Sequence, residues 1–364
     1  MSDKIKIVYI INSFALGGAE KLLLNLCRSL NKEKFEIFVC SATAGGPLAN
    51  EFEKAGLAIK IFQKRTKLGL SVIWQIYKFL KEVKPQIVHT HLFGGDTWGR
   101  LAAILAGIPV IISTEHSINL EEGWLKKKIK LVLSWFSKKI IAISEGVRDY
   151  SIKAEKISPK KLAVIYNGID LKTFQYRGFR PIQAGQLINA AVTARLEKEK
   201  GHKYLLAALS KINKKYPNFT LNIIGTGSLE ADLKQQAANL GVLEKIVFWG
   251  QQLEPEKILK NMDLFILPSL LEGLGIVLLE AQAIGVPVLA SNVGGIKEVI
   301  KDNETGLLFE PQNAQAIFEA VNALLSNQAL AKKLIENAYA QVQAKFTLAK
   351  MVEAYEKLYL ELVK

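Results

Sequence analysis

Residues 263–300, DLFILPSLLEGLGIVLLEAQAIGVPVLASNVGGIKEVI, decide the fold of this chain. The stretch opens with an apolar run at 264–267 that is typical of a buried strand. A second apolar run at 276–284 predicts a helix, with Gly285 in the usual place of a C-cap glycine. Another buried strand follows at 286–290. This order of strand, loop, helix and strand is the repeating unit of a doubly wound parallel sheet.

The loop between the first strand and the helix suits a ligand with hydroxyl and phosphate groups. Gly273 and Gly275 have no Cβ, so a ligand can approach their backbone, and the N–H groups of the helix start can bind an anion. Glu272 and Glu280 would lie about 80° apart if the whole segment were helical, so both can reach one crevice. The alternative is that Glu272 only caps the helix and Glu280 only faces solvent. The first interpretation predicts a nucleotide-sugar site.

The run EGLGIVLLE at 272–280 resembles the E-x7-E motif of the retaining glycosyltransferases of family 4, also called group 1. The flanking runs EAQAIGVPVLAS and GGIKEVI follow in the order that this family shows, and the resemblance extends over most of the chain. It implies the α/β GT-B fold, in which two Rossmann-like, doubly wound domains face a cleft. The expected domains are 1–178, which binds the acceptor, and 186–347, which binds the nucleotide sugar. A C-terminal helix at about 348–364 would cross back to the N-terminal domain.

Composition limits the class of protein. A chain of 364 residues can form two domains with sizeable cores. No run of 18 or more apolar residues predicts a transmembrane helix, and the N-terminus enters a strand without a signal peptide pattern. Cys27 and Cys40 fall within apolar patterns, which predicts buried thiols in a reducing compartment. We therefore expect a cytoplasmic protein, with a peripheral position on the inner face of the cell membrane as a further expectation.

The positive charge is confined to the first half of the chain. Residues 1–180 hold 29 lysines and arginines against 15 aspartates and glutamates, whereas residues 181–364 hold 19 of each. This asymmetry points to an anionic partner for one domain. The candidates are an anionic membrane surface and nucleic acid, with a merely solvated surface as the alternative. The sequence has no recognised nucleic-acid motif, so we expect no nucleic-acid partner.

Two loops of the first half are candidate site elements. Gly17 and Gly18 lie in the first strand-to-helix loop, which faces the cleft in the family, although a tight turn is the alternative. His116 follows a predicted strand and matches the T-x-H position at which a family histidine approaches the donor sugar. His89 and His91 alternate on a strand and point the same way. Without a further ligand at a suitable spacing, this pair is interpreted as core or cleft lining rather than as a metal site.

The stretch 123–139, GWLKKKIKLVLSWFSKK, combines large apolar residues with six lysines. It has the composition of a basic amphipathic helix on an anionic bilayer. The family resemblance instead places a helix here that packs on the N-terminal sheet. We expect a mixed arrangement, in which the apolar face packs inward and the lysines are offered to lipid headgroups.

The second half carries the candidate phosphate-binding residues. Arg195 and Lys200 follow its first predicted strand, and a planar guanidinium beside a point charge suits a diphosphate. They match the family's G-R-L...E-K-G run, with Ala194 in place of the usual glycine. Gly225 begins the loop GTG, which resembles a G-x-G loop of the family.

The family resemblance implies a retaining hexosyltransferase that moves a sugar from a nucleoside-diphosphate sugar to a glycan or lipid-linked acceptor. The expected setting is the biosynthesis of cell-surface polysaccharide or lipopolysaccharide. Arg195 and Lys200 would stabilise the leaving diphosphate, and no Asp-x-Asp motif indicates an essential divalent metal or other cofactor. A nucleotide-sugar epimerase or another enzyme of the same fold is the alternative, followed by a basic nucleic-acid-binding protein.

The remaining assignments concern the donor. Glu272 would accept hydrogen bonds from the sugar hydroxyls and Glu280 from the ribose, with His116 as a further catalytic candidate. The other predicted donor-binding residues are Gly17, Gly18, Gly225, Gly273, Leu274 and Gly275. Both a covalent intermediate and front-face attack remain compatible with retention, so no nucleophile is assigned.

Overall fold

The computed structural model describes residues 4–64, 69–120, 122–183 and 185–364. The chain forms two compact units, of which the first comprises residues 1–168 with 348–364 and the second comprises residues 169–347. None of the helices in these described ranges has the length and apolarity that crossing a bilayer requires.

The first unit is built on a seven-stranded sheet with the order β3-β2-β1-β4-β5-β6-β7. Every pairing in it is parallel. The strands are β1 (Ile5–Ser13), β2 (Phe35–Ala44), β3 (Ala58–Ile61), β4 (Ile87–His91), β5 (Val110–Glu115), β6 (Lys139–Ala142) and β7 (Leu162–Val164). The helices are α1 (Gly18–Ser29), α2 (Ala49–Lys54), α3 (Leu70–Val83), α4 (Phe93–Ala106), α5 (Trp124–Phe136) and α6 (Glu145–Lys153), and the C-terminal helix Leu348–Val363 also belongs to this unit.

Both faces of this sheet are covered, which explains the continuous apolar run of β1. Val8 and Ile10 lie in one core cluster with Ile76 of α3 and Ala102 of α4. Tyr9 points to the opposite face, where its hydroxyl lies 2.8 Å from the hydroxyl of Tyr359 in the C-terminal helix. A strand covered on both faces needs apolar residues at successive positions rather than at alternate ones.

The second unit contains a six-stranded parallel sheet with the order β10-β9-β8-β11-β12-β13. Its strands are β8 (Ile188–Thr193), β9 (Phe219–Ile224), β10 (Ile246–Gly250), β11 (Leu264–Leu267), β12 (Val288–Ser291) and β13 (Leu307–Phe309). Its helices are α7 (His202–Lys215), α8 (Glu230–Asn239), α9 (Glu256–Leu259), α10 (Ile276–Ile284), α11 (Ile296–Val299), α12 (Ala314–Ser326) and α13 (Gln328–Lys345), so the C-terminal helix Leu348–Val363 is α14.

Several predictions from the sequence are confirmed. Each unit is a parallel sheet with connecting helices, as expected for two Rossmann-like domains. Gly285 ends α10 with a φ of 87°, the left-handed conformation of a C-cap glycine. Cys27 and Cys40 are fully buried free thiols.

The boundary between the units lies earlier than the predicted end of the first domain at residue 178. The second unit begins at Ile169, whose N–H donates to the carbonyl of Phe346 over 2.8 Å. The N–H of Arg177 donates to the carbonyl of Ile284 over 2.9 Å. The stretch 169–178 is therefore held by backbone hydrogen bonds to the second unit. Of the segment predicted between the domains, residue 184 lies outside the described residues.

The expected packing of the apolar face of α5 is wrong, although Lys126, Lys128 and Lys138 are exposed as expected. Its lysine at position 130 is buried, and its ammonium group lies 3.0 Å from Glu115 Oε2, 3.3 Å from Glu122 Oε2 and 2.7 Å from Glu155 Oε1. Burial opposes the charged form, but the carboxylates of Glu115, Glu155 and Glu122 outweigh it and raise the pKa of Lys130. Most of the large apolar side chains of α5 face outward instead, with Trp124 and Trp135 69% and 66% exposed. Because these three carboxylates bind Lys130 in the interior, the opposite, apolar face of α5 lies on the outside.

Candidate functional site

The strand order of the second unit has a reversal point, where a ligand-binding crevice is expected. β8 and β11 are neighbours, but the chain leaves them toward opposite edges of the sheet. In open α/β sheets, ligands bind where the strand order reverses in this way, outside the carboxyl ends of the strands. The two loops at this point are 194–201, after β8, and 268–275, after β11. They contain Arg195, Lys200 and Glu272.

The structure brings Lys200 and Glu272 together. Lys200 Nζ donates a hydrogen bond to Glu272 Oε2 over 2.8 Å, and the two side chains are 15% and 14% exposed. The backbones of the two loops are also joined, since the N–H of Leu270 donates to the carbonyl of Glu199 over 2.8 Å. The ion pair thus places a cation and a carboxylate side by side in a largely water-excluded position.

Arg195 lies in the same loop but points into solvent. Its side chain is 70% exposed, and its guanidinium donates to Glu199 Oε1 over 2.7 Å. Glu197 anchors the loop, because it accepts hydrogen bonds from the backbone N–H and the hydroxyl of Ser228. Those two hydrogen bonds lower the pKa of Glu197. Arg195 therefore has a fixed backbone and a side chain that an anionic ligand can recruit.

His202 is a further element of this loop that the sequence interpretation missed. It begins α7, is buried, and its Nε2 lies 3.1 Å from the carbonyl oxygen of Arg195. A carbonyl only accepts, so Nε2 carries the proton and Nδ1 does not. Burial lowers the pKa of His202 to about 4, which keeps the ring neutral. The position of His202 directly after Gly201 was the one sequence signal for a role in this loop. Its partner, the carbonyl of Arg195, cannot be identified from a sequence pattern.

We call the loop 268–275, which the sequence predicts to bind the donor, the donor loop. It can offer a ligand its main-chain atoms but not the side chain of Leu274. Leu274 is fully buried, so only its main-chain atoms can meet a ligand. Gly275 precedes α10 with a φ of 81°, a conformation that favours glycine. The N–H of Gly295 donates to the carbonyl of Glu272 over 3.1 Å, and a Cβ at Gly295 would overlap the carbonyl of Gly273. The glycine pair at 294–295 therefore allows the loop after β12 to pack directly against the backbone of the donor loop.

Glu280 and Gly225 occupy different positions around the crevice. Glu280 lies half-buried in α10, which begins only at residue 276, so the angle estimated for a continuous helix from Glu272 does not apply. Gly225 directly follows β9 with a φ of 140°, and its N–H donates to the carbonyl of Gly250 over 2.8 Å. A Cβ at Gly225 would overlap the carbonyl of Ala194, so this glycine permits close packing against the residue before Arg195.

In the first unit, three histidines line the carboxyl ends of two adjacent strands. His89 and His91 end β4, and His116 follows β5. His91 Nδ1 lies 2.9 Å from His116 Nε2, so one ring nitrogen of this pair donates to the other. Burial lowers the pKa of His89 to about 3 and that of His116 to about 4. Burial, together with the neighbouring His89 and His116, also lowers the pKa of His91. All three rings are neutral at pH 7.

A buried hydroxyl network holds His89 from the C-terminal helix. The Tyr359 hydroxyl lies 2.8 Å from His89 Nδ1 and 2.8 Å from the Tyr9 hydroxyl. On the other side of the ring, His89 Nε2 lies 2.7 Å from the Thr114 hydroxyl. The sequence interpretation missed Tyr359, which lies 270 residues from His89. The network fixes the strand ends that carry His91 and His116.

Gly17 and Gly18 lie where the strand order of the first unit reverses. Gly17 caps α1 after β1, and a Cβ there would overlap the Glu20 carboxylate, which folds back over the loop. Burial raises the pKa of Glu20. The neighbouring loop after β4 begins at Leu92, whose φ of 59° is unusual for a residue with a side chain. Gly94, in the first turn of α4, faces the Asn12 side chain so closely that a Cβ would overlap Asn12 Oδ1.

The described residues contain no group of three or more His, Cys, Asp and Glu side chains arranged to hold a metal ion. The charged side chains described at the crevice of the second unit are Lys200, Arg195 and Glu272, together with Glu197 and Glu199 of the loop after β8. Chemically, this crevice combines cations for an anion, a carboxylate for hydroxyl groups and backbone N–H groups at the start of α10.

Two family models match the chain, one in each half. Residues 16–173 match the family described as Glycosyltransferase Family 4, and residues 185–341 match the one described as Glycosyl transferases group 1. Together the matches span both sets of predicted site residues.

Curated relatives and solved structures agree with these matches. An Escherichia coli protein named UDP-Gal:alpha-D-GlcNAc-diphosphoundecaprenol alpha-1,3-galactosyltransferase is 28% identical over 99% of this chain and 98% of its own length. A Campylobacter jejuni N-acetylgalactosaminyltransferase, named for a diacetylbacillosaminyl-diphospho-undecaprenol acceptor, is 25% identical over 93% of this chain and 95% of its own length. The Anabaena protein HepE, solved in complex with UDP-glucose, superposes with a TM-score of 0.88 at 20% identity, covering 98% of this chain and 100% of HepE. The comparisons support the glycosyltransferase interpretation and not the epimerase alternative.

Proposed function

This chain belongs to the family 4, or group 1, glycosyltransferases, and we propose that it moves a hexosyl residue from a nucleoside-diphosphate sugar to a glycan or lipid-linked acceptor with retention of configuration. The observation that carries this proposal is the ion pair of Lys200 with Glu272 at the crevice between β8 and β11. A donor with a diphosphate and a sugar needs a cation and a hydroxyl acceptor next to each other. The pair supplies both in one place.

Lys200 and Arg195 stabilise the leaving diphosphate in this proposal. Negative charge develops on the diphosphate as the glycosidic bond breaks, and fixed cations are most effective where charge develops. The exposed guanidinium of Arg195 can leave Glu199 for a phosphate, since a solvent-exposed ion pair contributes little stability. The N–H groups at the start of α10 add hydrogen-bond donors to the same anion.

Glu272 accepts hydrogen bonds from the sugar hydroxyls, and Glu280 takes the ribose. When the diphosphate binds Lys200, the Glu272 carboxylate is released to the sugar, so donor binding rearranges the ion pair. Gly273, Gly275 and Gly225 give the donor access to the backbone. His116, Gly17 and Gly18 are assigned to the site on the family resemblance, with His116 as a neutral hydrogen-bonding partner of the sugar.

We propose UDP as the nucleotide of the donor. The name of the E. coli relative contains UDP-Gal, and HepE was solved with UDP-glucose. Lipid-linked acceptors are supported by the two relatives whose names contain a diphosphoundecaprenol group. We therefore also propose that the transfer takes place at the cytoplasmic face of a membrane, within cell-surface polysaccharide or lipopolysaccharide biosynthesis.

We also propose that no divalent metal or other cofactor is required. The sequence lacks an Asp-x-Asp motif, and Lys200 with Arg195 supplies two positive charges to the diphosphate. Treatment with EDTA should leave the initial rate within about twofold of the untreated enzyme. Loss of activity that Mg²⁺ restores would contradict this part of the proposal.

A transfer assay tests the function directly. UDP-glucose, UDP-galactose and their N-acetylated forms are each incubated with the enzyme and undecaprenyl diphosphate carrying one N-acetylglucosamine. We expect one donor to give an extended lipid product with an α linkage in its proton NMR spectrum. A product of inverted configuration would contradict retention, and conversion of the donor to another nucleotide sugar without acceptor would favour an epimerase. The variant Glu272→Gln serves as the inactive control.

A further inference from the structure

Helix α5 presents an apolar stripe to the outside of the first unit. At 100° per residue, six side chains fall within an arc of about 120°. We call them the α5 outer stripe: Trp124, Leu125, Lys128, Val132, Trp135 and Phe136. All six are exposed, and five of them are large and apolar. Monomeric soluble proteins rarely expose contiguous apolar patches of this kind, and such patches mark interaction sites.

The side chains on the opposite side of the same helix are buried and already have partners within the first unit. Lys130 is enclosed by three carboxylates, Leu133 packs in the interior, and the Ser134 hydroxyl donates to the carbonyl of Leu131 over 2.6 Å. Helix orientation is therefore fixed by the buried cation, because rotating the stripe inward would expose or unpair Lys130. The outward position of the stripe is built into the unit.

The stripe is part of a wider layer. The chain moves in one direction across the sheet from β3 to β4, β5 and β6, and right-handed crossovers place α3, α4 and α5 on one face. The outer surfaces of α3 and α4 add Leu70, Trp74 and Leu105, which are 65%, 57% and 67% exposed. The indole of Trp74 stacks on Tyr77 with ring centroids 5.0 Å apart. Three adjacent helices thus present large apolar side chains to the outside.

Positive charge surrounds these apolar side chains. The sequence of α5 contains no acidic residue, and Lys126, Lys128 and Lys138 are exposed in or beside it. Lys128 Nζ lies 5.0 Å from the centroid of the Trp124 ring, a cation–π contact at the stripe itself. The first unit as a whole carries 29 lysines and arginines against 17 aspartates and glutamates, a net charge of +12. A partner that binds this surface must therefore be partly apolar and negatively charged.

We propose that the outer layer of α3, α4 and α5, centred on the α5 outer stripe, docks the enzyme on the surface of an anionic phospholipid bilayer. Tryptophan rings prefer the boundary between acyl chains and headgroups, and neighbouring lysines bind anionic headgroups. A second copy of the chain fits this surface poorly, since pairing would bring two units of charge +12 together. Docking is a property of the first unit and does not depend on the proposed transfer reaction.

Vesicle flotation tests the proposal with the full-length protein and no donor or acceptor. The vesicles contain phosphatidylcholine alone or phosphatidylcholine with 30% phosphatidylglycerol. We expect binding to the anionic vesicles that is at least tenfold tighter than to the neutral ones and that weakens as salt is raised. Tryptophan emission should shift to shorter wavelength on binding, as the indoles enter the apolar boundary. Absence of binding to anionic vesicles at low salt would overturn the proposal.

Two variants separate the apolar and the charged contributions. The variant W124S/L125S/W135S/F136S should lose at least tenfold in vesicle affinity, while its melting temperature stays close to that of the wild type because all four side chains are exposed. The variant K126E/K128E/K138E should also lose at least tenfold. Its matched control, K214E/K333E/K345E, changes the total charge equally but on exposed lysines of the second unit, and should bind like the wild type.

Two outcomes would contradict the assignment to this layer. Equal loss in the control variant would show a non-specific effect of net charge. A wild-type protein that is dimeric by light scattering, with W124S/L125S/W135S/F136S monomeric and vesicle binding unchanged, would show that the stripe is an interface between copies. Failure of the transfer assay would affect neither result, so docking and catalysis are tested separately.

Discussion

Lys200 Nζ donates to Glu272 Oε2 across the crevice between the loops after β8 and β11. The two residues lie 72 positions apart, and their proximity follows from the adjacency of the two strands. The cation that we propose for the diphosphate and the carboxylate that we propose for the sugar therefore neutralise each other. A donor replaces one ion pair with two sets of contacts, and this limits the cost of keeping both charges in a largely buried position.

Replacing Glu272 by Gln should lower kcat/KM for the donor at least 100-fold. The amide keeps the size of the side chain but loses the negative charge that accepts hydrogen bonds from the sugar hydroxyls. Affinity for the free nucleoside diphosphate should not fall, since that ligand has no sugar and Lys200 no longer has to leave a carboxylate to bind it. Release of UDP measured by a coupled assay gives the rate, and Glu256→Gln on α9 is the matched control. Normal kcat/KM in Glu272→Gln would remove this residue from the site.

Replacing Gly295 by Ala should weaken donor binding without removing any side chain that contacts the donor. A Cβ at position 295 would overlap the carbonyl of Gly273, so the donor loop must shift. We expect at least a tenfold loss of nucleotide affinity and a loss of stability of about 1–3 kcal/mol from the overpacking. Gly241→Ala is a control with open space at the added Cβ, although its φ of 68° carries some strain. Binding as tight as that of the wild type would show that the loop tolerates the shift.

Replacing Tyr359 by Phe should destabilise the first unit by about 1–3 kcal/mol. The change removes one hydroxyl and leaves the Tyr9 hydroxyl and His89 Nδ1 without that partner in a buried position. Thermal unfolding followed by calorimetry measures the effect, and Tyr77→Phe on α3 of the same unit should stay within about 0.5 kcal/mol of the wild type. An equal effect of both substitutions would argue against a buried network.

Acidification should destabilise the protein below pH 6.5. All four histidines of the chain have a lowered pKa in the folded state, to about 3 for His89 and about 4 for His116 and His202, with His91 also lowered. The unfolded chain therefore binds more protons between about pH 4 and 6.5, and stability falls as the pH falls through that window. Each histidine contributes at most about 1.4 kcal/mol per pH unit.

Calorimetric scans at pH 7.5, 6.5 and 5.5 measure this dependence. The melting temperature should fall over the lower interval, and His202→Gln should reduce the slope for the second unit. A melting temperature that is independent of pH between 7.5 and 5.5 would contradict the assignment of neutral buried histidines.

Local patterns predicted much of the fold, and they indicated the residues of the candidate donor site. The apolar runs around 263–300 gave the strands and the helix because both elements are encoded by neighbouring residues. Arg195, Lys200 and Glu272 were predicted because each lies in a loop that follows a recognisable strand. The sheet then brought two of the three together, as expected for adjacent parallel strands.

The orientation of α5 could not be predicted in this way. The three carboxylates that bury Lys130 come from β5, from the segment before α5 and from the stretch after α6, so no periodicity within the helix indicates them. His202 and Tyr359 were missed for the same reason, since their partners are a loop carbonyl and a histidine on a distant strand. Long-range polar pairing decided each of these cases.

The measurement that tests the central claim most directly is a calorimetric titration of the wild type and of Lys200→Ala with UDP, GDP, ADP and CMP. The account predicts one site per chain for a nucleoside diphosphate, UDP first, with at least tenfold weaker binding in Lys200→Ala. Lys211→Ala on α7, whose ammonium group donates to Gln315, should bind like the wild type. Absence of binding by every nucleotide at millimolar concentration, or equal affinity in Lys200→Ala, would contradict a donor site between β8 and β11.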